Sequence, residues 1–351
     1  MTLRVFLFSL IAVVHAHAAN IVDVYGVSPE ESTRLLQKYA KKMADIMVPL
    51  NQEGMKLKPG DTYPQRVENL VKKRAELLLE VKKKEGFSYV DIDEILYPGN
   101  NNHYITMDVV KNSEKERLRF INKETPKIAY PKTHDIMDKM DEYVNLVFHL
   151  IQTEKTDGYD TKCPVYHCVY SFNHPQLKAY LPLFNEAAVR QKKFIIDTLN
   201  HDPNPARRAS AAFLVGHFKD PRDIISTLLP HVNDPDEGVR NNAIRVIGGT
   251  LIEAKITDID ATPFLELLGS PSVTDRNKSL YVLLAVSQSP VGRKLLIQQG
   301  GDRLLAILQL KQPNNHDIAY LILKQLSGRD LGEHNISAWR AWFKEAQTTV
   351  A

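Results

Sequence analysis

Apolar residues follow three different rhythms along this chain, and each predicts a different kind of element. Ile21-Val-Asp-Val-Tyr25 is a short β-rich run closed by Gly26. Ser28-Pro29-Glu30-Glu31 then sets an N-cap serine, a proline at the first helical position and a glutamate three residues after the cap, the arrangement of a capping box. Leu36, Ala40, Met43 and Met47 fall on one helical face until Pro49 stops the run. A second helix opens after Pro64, carries Val67, Leu70, Val71, Leu78 and Val81, and ends at Gly86. Val90 and Ile92 alternate with Asp91 and Asp93, residues 98–102 turn the chain, and Ile105, Met107 and Val109 alternate with Thr106 and Asp108. The β-α-α-β-β order predicts a three-stranded sheet with two helices on one face. From 111 to 184 the pattern thins to one amphipathic helix (Ile136, Met140, Tyr143, Val144, Val147, Ile151), and prolines 126, 131, 164, 175 and 182 break up the rest.

From about residue 185 the pattern repeats itself. The segment 201–216 aligns with 233–248, with Asp202 on Asp234, Pro203 on Pro235, Arg208 on Arg240, Ala211 on Ala243 and Gly216 on Gly248. All of these identities share one offset of 32 residues. A weaker third copy runs from Ser270-Pro271 through Arg276 and Ser279 at an offset of 36, and a fourth helix pair is expected at 302–310 and 315–327. Asp-Pro at a turn caps and starts the following helix. The small alanine permits close helix approach, and the glycine ends or thins the helix where the next layer packs. The recurrent arginine is placed to pair with the turn aspartate of its own or the next repeat, as a ladder along the stack. Trp339 and Trp342 lie one helical turn apart near the end, where a repeat stack needs a cap; an exposed aromatic platform is the alternative.

The N-terminus changes the compartment. Arg4, the apolar run Val5–Val14 and Ala16-His17-Ala18 have the parts of a secretory signal peptide. A run of ten residues falls short of the ~20 needed to span the bilayer. The expected product is exported: periplasmic in a Gram-negative bacterium, otherwise secreted. In an oxidising compartment Cys163 and Cys168, the only cysteines, are expected to close a local disulfide. A metal site adding His167 and His174 is the competing reading, but its spacing fits no standard zinc pattern. The formal net charge of +3 is too even for a chain built around nucleic acid, so Lys72, Lys73, Arg74, Lys82, Lys83 and Lys84 read as a solvated helix face.

The β-α-α-β-β order and the phrase Tyr97-Pro-Gly…Tyr104-Ile-Thr-Met-Asp-Val-Val110 resemble a POTRA-type domain. That resemblance implies a sheet edge that docks extended segments of partner chains. The repeats resemble the HEAT family, in the short form similar to the repeats of phycobilin lyases. This resemblance implies an armadillo-type α-solenoid whose concave side holds a protein partner. The expected fold is an α+β N-terminal domain followed by an all-α HEAT-like solenoid. Its divisions are a leader at 1–18, an α/β domain at 19–120, a connector with the cysteine loop at 121–184 and the solenoid at 185–347.

No Gly-rich phosphate loop, His-Glu-x-x-His or Gly-x-Ser-x-Gly occurs in the sequence. The expected function is a non-catalytic scaffold without a cofactor or metal, binding partner proteins but not nucleic acid. A lyase-like or modifying enzyme that cradles its substrate in the solenoid, and a ligand or metal module at the cysteine loop, are the alternatives.

Overall fold

The computed structural model describes residues 19–57, 61–97, 100–121, 133–154 and 163–350. Residues 1–18, expected as a leader, and Pro98 and Gly99, expected in the hairpin turn, lie outside these segments.

The N-terminal domain runs β1 (Asn20–Tyr25), α1 (Pro29–Gly54), α2 (Gln65–Glu85), β2 (Phe87–Tyr97) and β3 (Asn100–Lys111). Ser28 Oγ accepts the Glu31 amide at 3.3 Å, so α1 starts where the capping box places it. The helix continues through Pro49 to Gly54 rather than stopping. Proline removes the bond to the Asp45 carbonyl, but Asp45 is exposed and water can serve that group. Val48 and Leu50 pack on the domain core and hold the extra turn. The buried stripe of α1 is also rotated by one residue, to Leu35, Tyr39, Met43 and Met47. Tyr39 can be buried because its hydroxyl donates to Glu85 Oε1 at 2.8 Å. In α2, Leu77 occupies the core position expected for Leu78, while Val71 stays exposed. Gly86 ends α2 at φ 75°, a left-handed geometry that suits glycine.

The sheet order is β1-β3-β2, with β3 parallel to β1 and antiparallel to β2. Val24, Val90, Ile92, Ile105, Met107 and Val109 meet α1 and α2 and form one core. The alternate positions carry Asp23, Tyr25, Asp91, Asp93, Thr106 and Asp108. This polar face is not left to water: Asp23, Thr106 and Asp108 are buried.

The helices that follow make two rows. One row holds the helices that begin at the repeat turns: α6 (Pro205–Val215), α8 (Glu237–Ala254), α10 (Val273–Val286) and α13 (Pro313–Ser327). They pack side by side in that order. The second row holds α5 (Lys192–His201), α7 (Pro221–Leu228), α9 (Thr262–Leu267) and α12 (Gly301–Leu308), each against its own partner in the first. α11 (Pro290–Gln299) precedes α12, and α14 (Ile336–Val350) packs on both. At the other end α3 (Ile136–Glu154) packs on α6, and α4 (Tyr180–Arg190) joins α3 and α5. One hydrophobic core runs from Ile136 on α3 to Phe343 on α14. The segment 133–154 is therefore the first layer of the stack in packing terms, because Met140, Tyr143 and Val147 cover the side of α6 that has no preceding repeat.

Candidate functional site

The repeat signature builds the frame. Arg208 on α6 grips Asp234 of the next turn with two bonds, at 2.8 and 3.1 Å, and donates to its own turn at the Asp202 carbonyl, 2.9 Å. Arg240 on α8 repeats this, donating to the Asp234 carbonyl at 3.0 Å. The third turn has Ser270 where an aspartate would stand, so Arg240 reaches Asp275 instead, with Nη2 at 3.1 Å from Oδ2. Ser270 Oγ donates to the same carboxylate at 2.7 Å. Asp202 accepts from Arg207 at 2.8 Å, and Arg207 also reaches Asp135 ahead of α3 at 2.6 Å.

The ladder then leaves the repeats. Arg276 donates to its own turn at the Ser270 carbonyl, 2.8 Å, but the fourth turn reads Gln312-Pro313 and supplies no acid. Its partner is Asp108 of β3, with Nη2 at 2.7 Å from Oδ1 and both side chains fully buried. The guanidinium also lies 4.0 Å from the Tyr25 ring centroid. Around it, the Tyr25 hydroxyl donates to the Leu268 carbonyl at 2.6 Å, Arg117 to the Gly269 carbonyl at 2.8 Å, and the Lys311 amide to Asp23 at 2.7 Å. The polar face of the sheet is thus seated on the turns before α10 and α13. Burial, followed by repulsion from Asp93, pushes the Asp108 carboxyl up to about 7 despite Arg276. Burial, with repulsion from Asp91, pushes Asp93 up to about 6.

The two signature glycines mark close approaches. A Cβ on Gly248 would stand 3.5 Å from Val282 of α10, and one on Gly216 would stand 3.3 Å from Val246 of α8. The neighbouring Gly249 has a separate role. A Cβ there would lie 3.1 Å from the Tyr166 carbonyl oxygen and 3.2 Å from His167 Nδ1. The cysteine loop therefore rests directly on α8. Cys163 and Cys168 are bonded, with sulfurs 2.05 Å apart, which removes both as metal ligands. His167 is stacked on Phe213 at 5.7 Å, and its Nε2 is buried without a hydrogen-bond partner. Burial, then the nearby Arg245, His217 and Lys278, hold His167 well below its ordinary value, so it is neutral. His174 Nδ1 accepts the Gln176 amide.

This loop packs on α6 at Phe213 and on α8 at Gly249. Beyond the loop, α8 and α10 present Arg245, Lys278 and Tyr281. Arg245 donates to the Val169 carbonyl at 3.5 Å. Burial and the adjacent Arg245 push the Lys278 amine down to about 8. Sequence reasoning did not single out Arg245, Lys278, Gly249, Asp275 or Asp108. The Gly248-Gly249 doublet, and a third signature arginine followed by no acidic turn, were the available signals.

At the far end Trp339 is fully buried and donates to the Gly332 carbonyl at 2.9 Å, and Trp342 is 9% exposed beside Phe343. Both tryptophans face the last layer rather than solvent. Where the β1–α1 turn faces α12, a cleft of about 640 Å³ opens between the sheet and the stack, lined by Asp23, Tyr25, Ser28, Arg117, Arg303 and Lys311 among others. One group of potential metal ligands comes together among the described residues: His316, Asp317 and Glu333. Both ring nitrogens of His316 already have protein partners, the Leu308 carbonyl at 2.7 Å and Glu333 at 2.9 Å. Among the described residues, no helix is long and apolar enough to cross a membrane.

No curated protein and no solved structure matches this chain. Nothing in these comparisons bears on the resemblance of the N-terminal domain to POTRA-type domains. The family model for HEAT repeats matches residues 193–284, from the start of α5 into α10. Residues 193–284 carry HEAT repeats, and they form the part of the helical stack that runs from α5 into α10.

Proposed function

We propose that the protein is an exported, non-catalytic scaffold that binds partner proteins through the concave side of its HEAT repeats. The observation that carries this reading is the open side of α8 and α10. There Arg245, Lys278 and Tyr281 lie beside the disulfide-closed loop, on the surface that repeat stacks use for extended contacts. The free edge of β1 serves as a second docking element. Among the described residues the sheet order leaves β1 unpaired on one side, and the cleft beside that strand has room for an extended segment.

Export is supported by the pattern of residues 1–18 and by the bonded cysteines, which suit an oxidising compartment. Protein rather than nucleic acid is favoured as partner by the near-even charge. The test is retention from a native envelope or secreted fraction on the immobilised mature chain at low salt. The reading expects a protein that is retained by the folded chain and lost when the loop is locked over α10 by an engineered cross-link. Retention unaffected by that block, or none at all, overturns it.

A further inference from the structure

We propose that Arg245 and Lys278 form an oxyanion-binding subsite on the open side of the repeats, at the rim of the disulfide-closed loop. The proposal deepens the binding role given above and rests on that role only for the natural source of the anion.

The arginines of the stack fall into two kinds. Arg207, Arg208, Arg240 and Arg276 are each held by a carboxylate at 2.6 to 3.1 Å. Arg245 and Lys278 are half-buried, yet neither has an ion pair among the described residues. Among the described residues, Arg245 donates to the Val169 carbonyl at 3.5 Å, which satisfies a single N–H at long range. Burial disfavours the charge of Arg245, and burial plus Arg245 itself disfavours that of Lys278. Two like charges on adjacent helices, both desolvated, raise the free energy of the empty protein. A stack that needed only packing here would place apolar side chains, as it does at Phe213, the position equivalent to Arg245 one repeat earlier.

The chemistry of the set is that of oxyanion recognition. The planar guanidinium offers paired donors, and the ammonium is a point charge that complements it. Tyr281, in the same repeat position as Arg245 at the offset of 36, borders the pair on α10. The neutral His167 adds a buried ring nitrogen with no partner. The loop that carries His167 and Val169 is fixed at its base by the disulfide and seated on Gly249, so the donors are held before any ligand arrives. The anion is either a free oxyanion or a carboxylate on a partner chain; the donors suit both.

The experiment is calorimetric titration of the mature protein at pH 7 with inorganic phosphate and, separately, with a short glutamate-rich peptide. It is run on the wild type, Lys278→Met, Arg245→Met and, as a surface control, Lys294→Met. The expected result is binding of at least one probe, weakened tenfold or more in the Lys278 and Arg245 variants and unchanged in the control. Phosphate alone points to a free oxyanion, and the peptide alone points to a partner's carboxylates. A second readout separates site from scaffold: Lys278→Met should leave the melting temperature of the empty protein unchanged or higher, because it removes an uncompensated charge. Selective labelling of Lys278 should also show its titration moving up when the probe is bound. Absence of binding to both probes, binding indifferent to both substitutions, or a lowered melting temperature in Lys278→Met overturns the proposal. Phosphate binding without any retained protein partner would remove the scaffold reading and leave the subsite standing.

Discussion

Replacing Arg276 by methionine tests whether the sheet and the repeats form one interlocked body. The substitution preserves the apolar stem and removes the ion pair to Asp108, the bond to the Ser270 carbonyl and the contact with the Tyr25 ring. Asp108 would be left fully buried, and neither of its oxygens has a hydrogen-bond donor to fall back on. Breaking a buried pair from one side costs about 3–5 kcal/mol. The cost depends on pH with a definite sign. Asp108 titrates in the folded protein at about 7, above its ordinary 3.8. The folded state therefore holds more protons than the unfolded state between those values, and stability falls as pH rises through that window. At pH 5 the carboxyl is already neutral in the wild type. At pH 8 the wild type regains roughly 1 kcal/mol by ionising against Arg276, which the variant cannot do. Urea denaturation of both proteins, followed by circular dichroism and by the fluorescence of the two capping tryptophans, should give a penalty of about 3–5 kcal/mol at pH 8. The penalty at pH 5 should be smaller by roughly 1 kcal/mol. With Asp108→Asn as the background, the same substitution should cost about 2 kcal/mol less. A penalty below about 1 kcal/mol at pH 8, the level of an exposed pair, or a penalty larger at pH 5, would refute the reasoning.

Other expectations concern the loop, the cap and the acidic face. Cys163→Ser with Cys168→Ser should lower stability by about 2 kcal/mol, given so short a closed loop, measured by thermal or urea unfolding. Gly249→Ala should be neutral or unfavourable with the loop seated. In the double serine background, where the loop can lift, it should gain up to about 1 kcal/mol from helix propensity, so the sign of the change reports loop docking. Trp339→Ala should cost about 3–5 kcal/mol and loosen α14, seen as faster proteolysis of the C-terminal segment. Asp93→Asn should flatten the loss of stability between pH 4 and 6, because that carboxyl is also held above its ordinary range.

Much of the fold could be read locally. The capping box at Ser28, the left-handed stop at Gly86 and the alternation around Ile92 and Met107 are short-range signals, and each lies where the chain pattern puts it. The 32-residue offset fixed the repeats for the same reason, since each turn must solve the same capping problem. What escaped was long-range. Pro49 reads as a stop, but the packing of Val48 and Leu50 carries the helix past it. Asp91, Asp93, Thr106 and Asp108 read as the polar side of a hairpin, and only the seat on the repeat turns buries Thr106 and Asp108. A connector of broken composition gave no sign that α3 would close the open end of the stack, or that the cysteine loop would lie over α8. Arg245 and Lys278 lack any local signature, because their meaning comes from the carboxylates that do not face them.

The central claim is that the concave side of the HEAT repeats is the working surface. Site-specific photo-crosslinking tests it most directly, with the reactive side chain placed at Tyr281 on α10 or Leu321 on α13, and at Arg222 on α7 and Lys294 on α11 for comparison. The account predicts a discrete adduct with a protein partner from the concave positions, diminished by Lys278→Glu, and none from α7 or α11. Adducts formed equally from α7 and α11, or only from them, would contradict it.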